Sequence, residues 1–276
     1  MTLRLNATLV AGVVATFTAH SATAGEFELP ESAIFDAAHN RIIVSNIKGG
    51  FTDADGNGYL SSLNPDGTVM AQHWLTGLDA PKGMAILGDR LFVADVTGLV
   101  EVDLESASVV AFHHAKTAEF LNDVTASDDA VYVSDLMTDT IWRLQDANFE
   151  PWVQSTALSH PNGIAWDEDR LIVGSWGQGL HEDFTTDAPG DLLAVDAASQ
   201  DIEVIAEGVG NIDGVVMVDG RLIVSDWVQG ALIEVQDGGA EMIGRFPAGL
   251  ADIGTDGVNL LLPHMLEGRV QVLPLP

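Results

Sequence analysis

The sequence contains one pattern repeated six times, and this repeat limits the possible folds more than any other feature. Each unit has a short alternating run, a turn rich in Asp, Gly or Asn, and a second run of β-forming residues. This order is typical of a β-hairpin. The units begin 38 to 51 residues apart. Their first residues are Glu31, Lys82, Asn122, Asn162, Asp213 and Ala251.

Two further candidate strands follow each hairpin, so the unit length accommodates four strands. Six such units predict an all-β chain folded as a six-bladed β-propeller with four-stranded blades. Two packed sandwiches are the alternative, but they do not explain six repeats in register. The sixth unit ends one strand short, and residues 26–29 precede the first unit without a hairpin of their own. We therefore expect an N-terminal strand at 26–29 to close the last blade.

Residues 1–24 have the features of a secretory signal peptide. An apolar run follows Arg4, and Ala22-Thr23-Ala24 has the small-residue pattern of a cleavage site. The run is shorter than the roughly 20 residues that span a bilayer, so we expect no membrane insertion. Residues 25–276 would then form a single propeller domain of a periplasmic or secreted protein.

Composition restricts the possible partners. The chain has 41 acidic and 11 basic residues, a formal net charge of −30, and no cysteine. Such a surface repels nucleic acid and anionic membranes but attracts cations. Two explanations of the acidic composition stay open: a saline environment, or an ordinary acidic protein of the periplasm. Because no disulfide can stabilise the exported chain, a large core or a bound ion must do so. We expect a monomer that binds a small molecule.

The first residues of the units should meet at the central channel, because the innermost strand of each blade begins there on one face. Four of them, Glu31, Asn122, Asn162 and Asp213, supply the carboxylate and amide oxygens that suit a hard cation. The set has no Cys or His, which argues against zinc or copper. We predict Ca²⁺ at this ring, with Mg²⁺ or another divalent ion as the alternative.

Two other interpretations of the ring stay open. Asn and Asp are favoured in tight turns whatever their function. Lys82 lies in the same ring, and ion pairs with Glu31 and Asp213 would fill the channel without any metal.

Residues near the ring are candidates for a substrate pocket. His160 and Asn211 each lie two positions before a ring residue, so strand alternation points them to the same side. Lys82 and Phe120 are the other candidates for the pocket. The loop after Trp176 is long enough to cover it.

A second set of oxygen ligands lies in the first unit, at Asp53, Asp55 and Asn57. Their alternate spacing, with glycine at the turn, resembles the start of an EF-hand loop and makes a second calcium site possible. The twelfth position is Asn64 rather than Glu. A long turn in the first blade, on the same face as the ring, is therefore the favoured interpretation, and weak calcium binding is the alternative.

The sequence resembles the gluconolactonase/regucalcin family of six-bladed propellers. The resemblance covers nearly all of 25–276 and rests on four motifs in the family's order: Leu29-Pro30-Glu31, Asn122-Asp123, Pro161-Asn162-Gly163 and Asp213-Gly214. It implies that Glu31, Asn162 and Asp213 hold a divalent ion, usually calcium, with Asn122 in the same site. It also implies lactone or ester hydrolysis, with the ion polarising the carbonyl and Asp213 as the catalytic base.

The chain departs from the family at Phe120, where its sugar-lactone hydrolases have an arginine. The fold and metal site therefore transfer better than the substrate does. The expected function is an exported, divalent-metal-dependent hydrolase of a small lactone, ester or phosphoester. The alternative is a non-catalytic propeller that the ion stabilises and that binds a ligand or protein on its top face.

Overall fold

The computed structural model describes residues 20–21, 27–236 and 239–275. In this part of the chain the strands form six antiparallel sheets, which are the blades of a propeller. Helical structure within the same residues is limited to two 3₁₀ turns, Thr156–Leu158 and Met265–Glu267. The predicted all-β, six-bladed propeller with four-stranded blades is confirmed. None of the described helices is long and apolar enough to cross a bilayer.

The first described strand, β1 (His20–Ser21), precedes the blades. Each of the first three blades contains four strands in chain order, from the axis outwards. Blade 1 contains β2 (Pro30–Asp36), β3 (Arg41–Asn46), β4 (Gly58–Leu63) and β5 (Val69–Leu78). Blade 2 contains β6 (Met84–Leu87), β7 (Arg90–Asp95), β8 (Gly98–Asp103) and β9 (Ser108–His114). Blade 3 contains β10 (Leu121–Ala126), β11 (Val131–Asp135), β12 (Thr140–Gln145) and β13 (Asn148–Gln154).

The fourth blade has an additional short strand, and in the sixth the two residues of β1 pair with the outer strand. Blade 4 contains β14 (Pro161–Asp167), β15 (Arg170–Ser175), β16 (Gly177–Gln178), β17 (Ala188–Asp196) and β18 (Ile202–Gly210). Blade 5 contains β19 (Ile212–Val218), β20 (Arg221–Asp226), β21 (Ala231–Gln236) and β22 (Gly239–Arg245). Blade 6 contains β23 (Gly254–Thr255), β24 (Asn259–His264), β25 (Arg269–Pro274) and β1.

The two residues of β1 run antiparallel to β25 at the outer edge of blade 6. They lie within the expected signal peptide, so blade 6 would keep three strands in a chain cleaved after Ala24. Residues 27–29, expected within the closing strand, are bends instead. Leu29 has a φ of 55°, which interrupts an extended conformation. Phe27 donates its N–H to Gly268 O at 3.2 Å and packs between the first and last blades. Glu26 and residues 1–19 and 22–24 of the expected signal peptide lie outside the described residues.

Six hydrophobic clusters fill the spaces between neighbouring blades and close the ring. Between blades 3 and 4, the ring of Tyr132 stacks on Trp166 with centroids 5.0 Å apart and meets Trp152 edge-on at the same distance. The last cluster joins Val44 of blade 1 to Leu261 of blade 6. Because each blade is packed on both faces, its second strand is apolar at successive positions, as in Leu171-Ile172-Val173.

Candidate functional site

Four innermost strands contain a β-bulge at the predicted metal ligand. In β14, Pro161 is opposite Ser175 but Ile164 is opposite Val173, so the strand has one extra residue around Asn162. A bulge bends the strand and re-aims the side chains at that point. The same shift occurs around Glu31, Asn122 and Asp213. The inner strands of blades 2 and 6 begin beyond Lys82 and Ala251 and have no such bulge.

Serines of the neighbouring strand bind the backbone that three of the bulges release. Ser134 Oγ accepts the N–H of Asp123 at 2.9 Å, and Ser225 Oγ accepts the N–H of Gly214 at 2.8 Å. In blade 1, Ser45 does the same for Ser32 at 3.0 Å. These serines were missed by the sequence analysis, although the recurring Val-Ser-Asn or Val-Ser-Asp at the end of the second run could have identified them.

Neighbouring inner strands approach each other closely at the axis, which explains the glycine after two of the ring residues. A Cβ on Gly163 would lie 2.3 Å from Asp213 O, and one on Gly214 would lie 2.3 Å from Ile253 N. Real Cβ atoms do not approach backbone atoms so closely. The Asn-Gly and Asp-Gly pairs therefore serve strand packing as well as turn chemistry.

A chain of hydrogen bonds joins three of the predicted ligands, all of which are buried. Asn122 Nδ2 donates to Asn162 Oδ1. Asn162 Nδ2 in turn donates to Asp213 Oδ1 and to Ile212 O, both at 3.1 Å. The structure thus brings together oxygen donors from three blades, as the repeat predicted.

Glu31 supplies an unsatisfied oxygen beside this chain. Its side chain is 4% exposed, and Oε2 is buried without a hydrogen-bond partner. Burial first, and then the negative charge of Asp213, raise the pKa of Glu31 well above its ordinary value. Burial and the charge of Asp252 raise the pKa of Asp213 in the same way. Two such carboxyl groups on one axis need either protons or a cation to neutralise them.

A second layer of carboxyl groups lies next along the axis and was also missed. Asp252 accepts a hydrogen bond from Ser32 Oγ at 2.5 Å, and its carboxyl group interacts electrostatically with that of Asp123. Asp123 Oδ2 accepts the N–H of Ile164 at 2.6 Å. These residues occupy the second position of the repeat, so aligning that position as well as the first would have found them.

Lys82 lies in the ring but forms no salt bridge with Glu31 or Asp213 within 4.0 Å in the described structure. Its Nζ donates to Ala80 O at 3.0 Å and lies 4.9 Å from the centroid of the Phe120 ring. Burial lowers the pKa of Lys82 to about 8, against the opposing effect of Glu31. The network of ion pairs considered as an alternative therefore does not fill the channel.

The ring forms the floor of a cavity of about 460 Å³. Lys82, Phe120 and Asn211 line it, as expected from the sequence. Asn211 Nδ2 donates to Trp176 O at 2.7 Å and to Thr186 Oγ1 at 3.1 Å. Other wall residues are mainly apolar and include Leu136, Trp176, Phe184, Trp227 and Met265.

His160 was expected in the pocket, and this prediction is wrong because the residue is not among those lining the cavity. Its φ of 62° and its position before β14 remove it from the strand alternation on which the prediction relied. The His160 N–H donates to Asp139 Oδ1 at 2.7 Å, and its ring nitrogen contacts Leu136 O at 3.1 Å. His160 therefore stabilises the turn before β14 rather than lining the pocket.

The loop after Trp176 does cover part of the cavity. β16 pairs with the start of β17, and His181 N donates to Thr185 O at 2.9 Å, so the loop is a structured hairpin. Trp176 Nε1 donates to Phe184 O at 2.9 Å and fixes the loop to the wall.

The candidate second calcium site is an exposed loop between β3 and β4. Asp53 Oδ2 accepts the N–H of Gly50 at 2.9 Å, and Asp55 Oδ2 accepts from Asn57 Nδ2 at 2.6 Å. These oxygens therefore stabilise turns in the described loop. Phe51 of the same loop lines the cavity, which places the loop on the face of the ring, as expected. Calcium binding there stays a prediction.

The fold is similar to solved propellers of varied function. A gluconolactonase from Xanthomonas campestris has a TM-score of 0.67 at 18% identity, over 94% of this chain and 90% of the other. A catalytically inactive virginiamycin B lyase from Staphylococcus aureus, solved with quinupristin, has 0.63 at 14% identity, over 95% and 100% of the two chains. A chain of a nidogen/laminin complex has 0.64 at 15% identity, over 82% and 84%.

No family model matches the chain, and no curated protein matches it in sequence. At identities below 20%, the similar structures establish the fold and leave substrate and chemistry open. The similar structures confirm the β-propeller fold that the resemblance implied.

Proposed function

We propose that this chain is an exported hydrolase that depends on a divalent cation and cleaves a small lactone, ester or phosphoester. The observation that carries the proposal is the unpartnered Oε2 of Glu31, buried beside Asp213 and two asparagines at the floor of a cavity. A buried carboxylate oxygen without a partner is unusual and costly in a folded protein, and a cation would satisfy it. The all-oxygen donor set suits Ca²⁺, with Mg²⁺ as the alternative.

Each ring residue has a chemical role in this proposal. Glu31, Asn122, Asn162 and Asp213 would hold the ion, which when bound supplies Lewis-acid polarisation of a carbonyl or phosphoryl oxygen. The Asp213 carboxylate would take a proton from the attacking water as general base. Lys82 keeps N–H donors beyond its bond to Ala80 and would donate to the oxygen that becomes negative.

The reaction balances without a redox partner. Water adds across the bond between the acyl carbon, or the phosphorus, and the leaving oxygen. The hydroxyl group goes to the carbon or phosphorus, and the remaining proton goes to the leaving oxygen. No other co-reactant is needed.

The similarity to a gluconolactonase and to a lyase supports an enzymatic use of this fold. One observation favours the second candidate, a non-catalytic propeller that binds a ligand or protein on its top face. The buried amine of Lys82 lies in the ring, where a positive charge opposes cation binding.

The test is turnover of a panel of lactones, aryl esters and phosphotriesters by the purified protein, with and without chelator. We expect chelator to abolish activity, calcium to restore it, and Asp213→Asn to abolish it with an unchanged circular dichroism spectrum. Asp146→Asn, in an exposed turn with positive φ, is the control and should stay active. Full activity of Asp213→Asn would contradict the proposal. Calcium-dependent stability without turnover on the whole panel would favour the second candidate.

The proposed location is the periplasm or the exterior, and it rests on the sequence of residues 1–24. We further propose that the protein acts as a monomer. Exported protein should begin at Gly25 by N-terminal sequencing and elute at the mass of one chain.

A further inference from the structure

The walls of the cavity are aromatic above the polar ring. Trp176 and Trp227 form one tilted pair, with ring centroids 6.2 Å apart, and Phe120 and Phe184 form another at 5.7 Å. Trp176 and Phe120 are less than 10% exposed, so they belong to the rigid wall rather than to a mobile rim. Aromatic walls of this kind bind a ligand mainly through buried apolar area.

Several polar atoms of the upper wall are already engaged. The indole N–H of Trp176 donates to Phe184 O, and both donors of Asn211 Nδ2 go to Trp176 O and Thr186 Oγ1. A polyhydroxylated ligand would therefore lose hydrogen bonds to water on entering, with few partners in return. Each hydroxyl group buried without a partner weakens the binding of such a ligand.

The charges around the cavity favour a neutral ligand. An anion would meet the carboxylate of Asp183 at the mouth, although at the floor the proposed cation would offset Glu31 and Asp213. A cationic ligand would meet the amine of Lys82, which lies over the Phe120 ring. Neither sign of charge is matched along the whole cavity, whereas an uncharged apolar group meets no such penalty.

We propose that the cavity selects neutral lactones or esters that carry an aromatic or bulky aliphatic substituent. This inference rests on the proposed function. The carbonyl would face the ring, and the substituent would pack on Trp176 and Trp227 under Phe184. A volume of about 460 Å³ is within the usual range of roughly 300–1,000 Å³ for small-molecule sites. Hydrolysis adds water across the acyl–oxygen bond as above, so the substituent takes no part in the bond changes.

The first test compares three lactones that share one lactone ring size and differ in their substituents: phenyl-substituted, unsubstituted and polyhydroxylated. We expect kcat/KM to be at least about tenfold higher for the phenyl compound than for the other two. Phe184→Ala and Trp227→Ala should each lower kcat/KM for the phenyl-substituted lactone about tenfold. The kcat/KM for the unsubstituted lactone should change little. Both residues are only partly buried, so the variants should fold. Phe112→Ala, on an outer strand and 38% exposed, is the aromatic control that should retain the preference.

The second test does not require turnover. Tryptophan fluorescence reports binding of a phenyl-substituted lactam and of a polyhydroxylated lactam, neither of which is readily hydrolysed. Tighter binding of the phenyl lactam, weakened in Trp227→Ala, would support the proposal even if no ester is cleaved. Equal or tighter binding of the polyhydroxylated lactam would overturn it. A preference for the polyhydroxylated lactone in the first test would also overturn it and leave the hydrolase proposal standing.

Discussion

The axis combines four buried carboxyl groups with one buried amine. Burial and mutual repulsion raise the pKa values of Glu31, Asp123 and Asp213 well above their ordinary values. Burial raises the pKa of Asp252 to about 7. Lys82 supplies a single positive charge, which cannot balance four ionised carboxylates. Under the proposed function, these carboxyl groups would exchange their protons for the cation.

Replacing the amine should make the ring a stronger cation site. In Lys82→Met the apolar contact with Phe120 is kept and the positive charge is removed, so we expect the calcium Kd to fall several-fold, measured by isothermal titration calorimetry. Lys116→Met, at an exposed lysine, removes the same charge from the surface and should change the Kd little. Unchanged or weaker calcium binding in Lys82→Met would argue against a cation at this ring.

The element that builds the site is the bulged inner strand with its neighbouring serine. The bulge turns a ring side chain to the axis, and the hydroxyl group satisfies the backbone that the bulge leaves unpaired. Ser225 does more than the other serines, because its Oγ also donates to Ala251 O at 2.8 Å and so joins blade 5 to blade 6.

Ser225→Ala should therefore disturb both stability and the site. The buried N–H of Gly214 and the carbonyl of Ala251 both lose a partner, which predicts a loss of about 1–3 kcal/mol of unfolding free energy. Chemical denaturation measures this loss, and calcium affinity should fall because Asp213 precedes the released N–H. Ser108→Ala, at an exposed serine, should change neither quantity. A stability equal to that of the unchanged protein would show that the hydroxyl group is not needed.

Much at the level of elements was predictable from the sequence. Turn chemistry and alternation repeat at each unit start, so the blades and the first ring position followed directly. His160 was misplaced because its positive φ prevents β14 from extending back to include it. The sequence around a histidine does not indicate such a backbone angle. The pairing of Asp252 with Ser32 depends on how the last blade meets the first, which local patterns do not determine.

The whole molecule combines six hydrophobic clusters between its blades with a strongly acidic composition and with buried carboxyl groups on its axis. The core provides stability that does not depend on ions. The buried carboxyl groups on the axis lower the stability of the fold whenever they are ionised and no cation neutralises them. Ion binding and folding should therefore be coupled in this protein.

Calcium and pH should change the melting temperature together. In chelator, the protonation of Asp252 stabilises the fold fully below its ordinary pKa of 3.8, and this contribution is lost as pH rises through about 7. The melting temperature should then be higher at about pH 5 than at about pH 8, and calcium should raise it most at the higher pH. Scanning calorimetry in matched ionic strength, with potassium chloride as the control, separates this effect from general screening. A calcium effect no larger than that of potassium chloride would contradict the coupling.

The contact between Ser32 and Asp252 joins residues 220 positions apart, and this has a consequence for how the chain is made. A nascent chain leaving the ribosome cannot complete its axis until nearly all of it has been translated. Until then the inner strand of the first blade has no final neighbour, and its carboxyl groups stay hydrated. Under the proposed export, such a polypeptide would pass through a translocation pore unfolded and acquire its last blade, and with it a complete axis, on the far side.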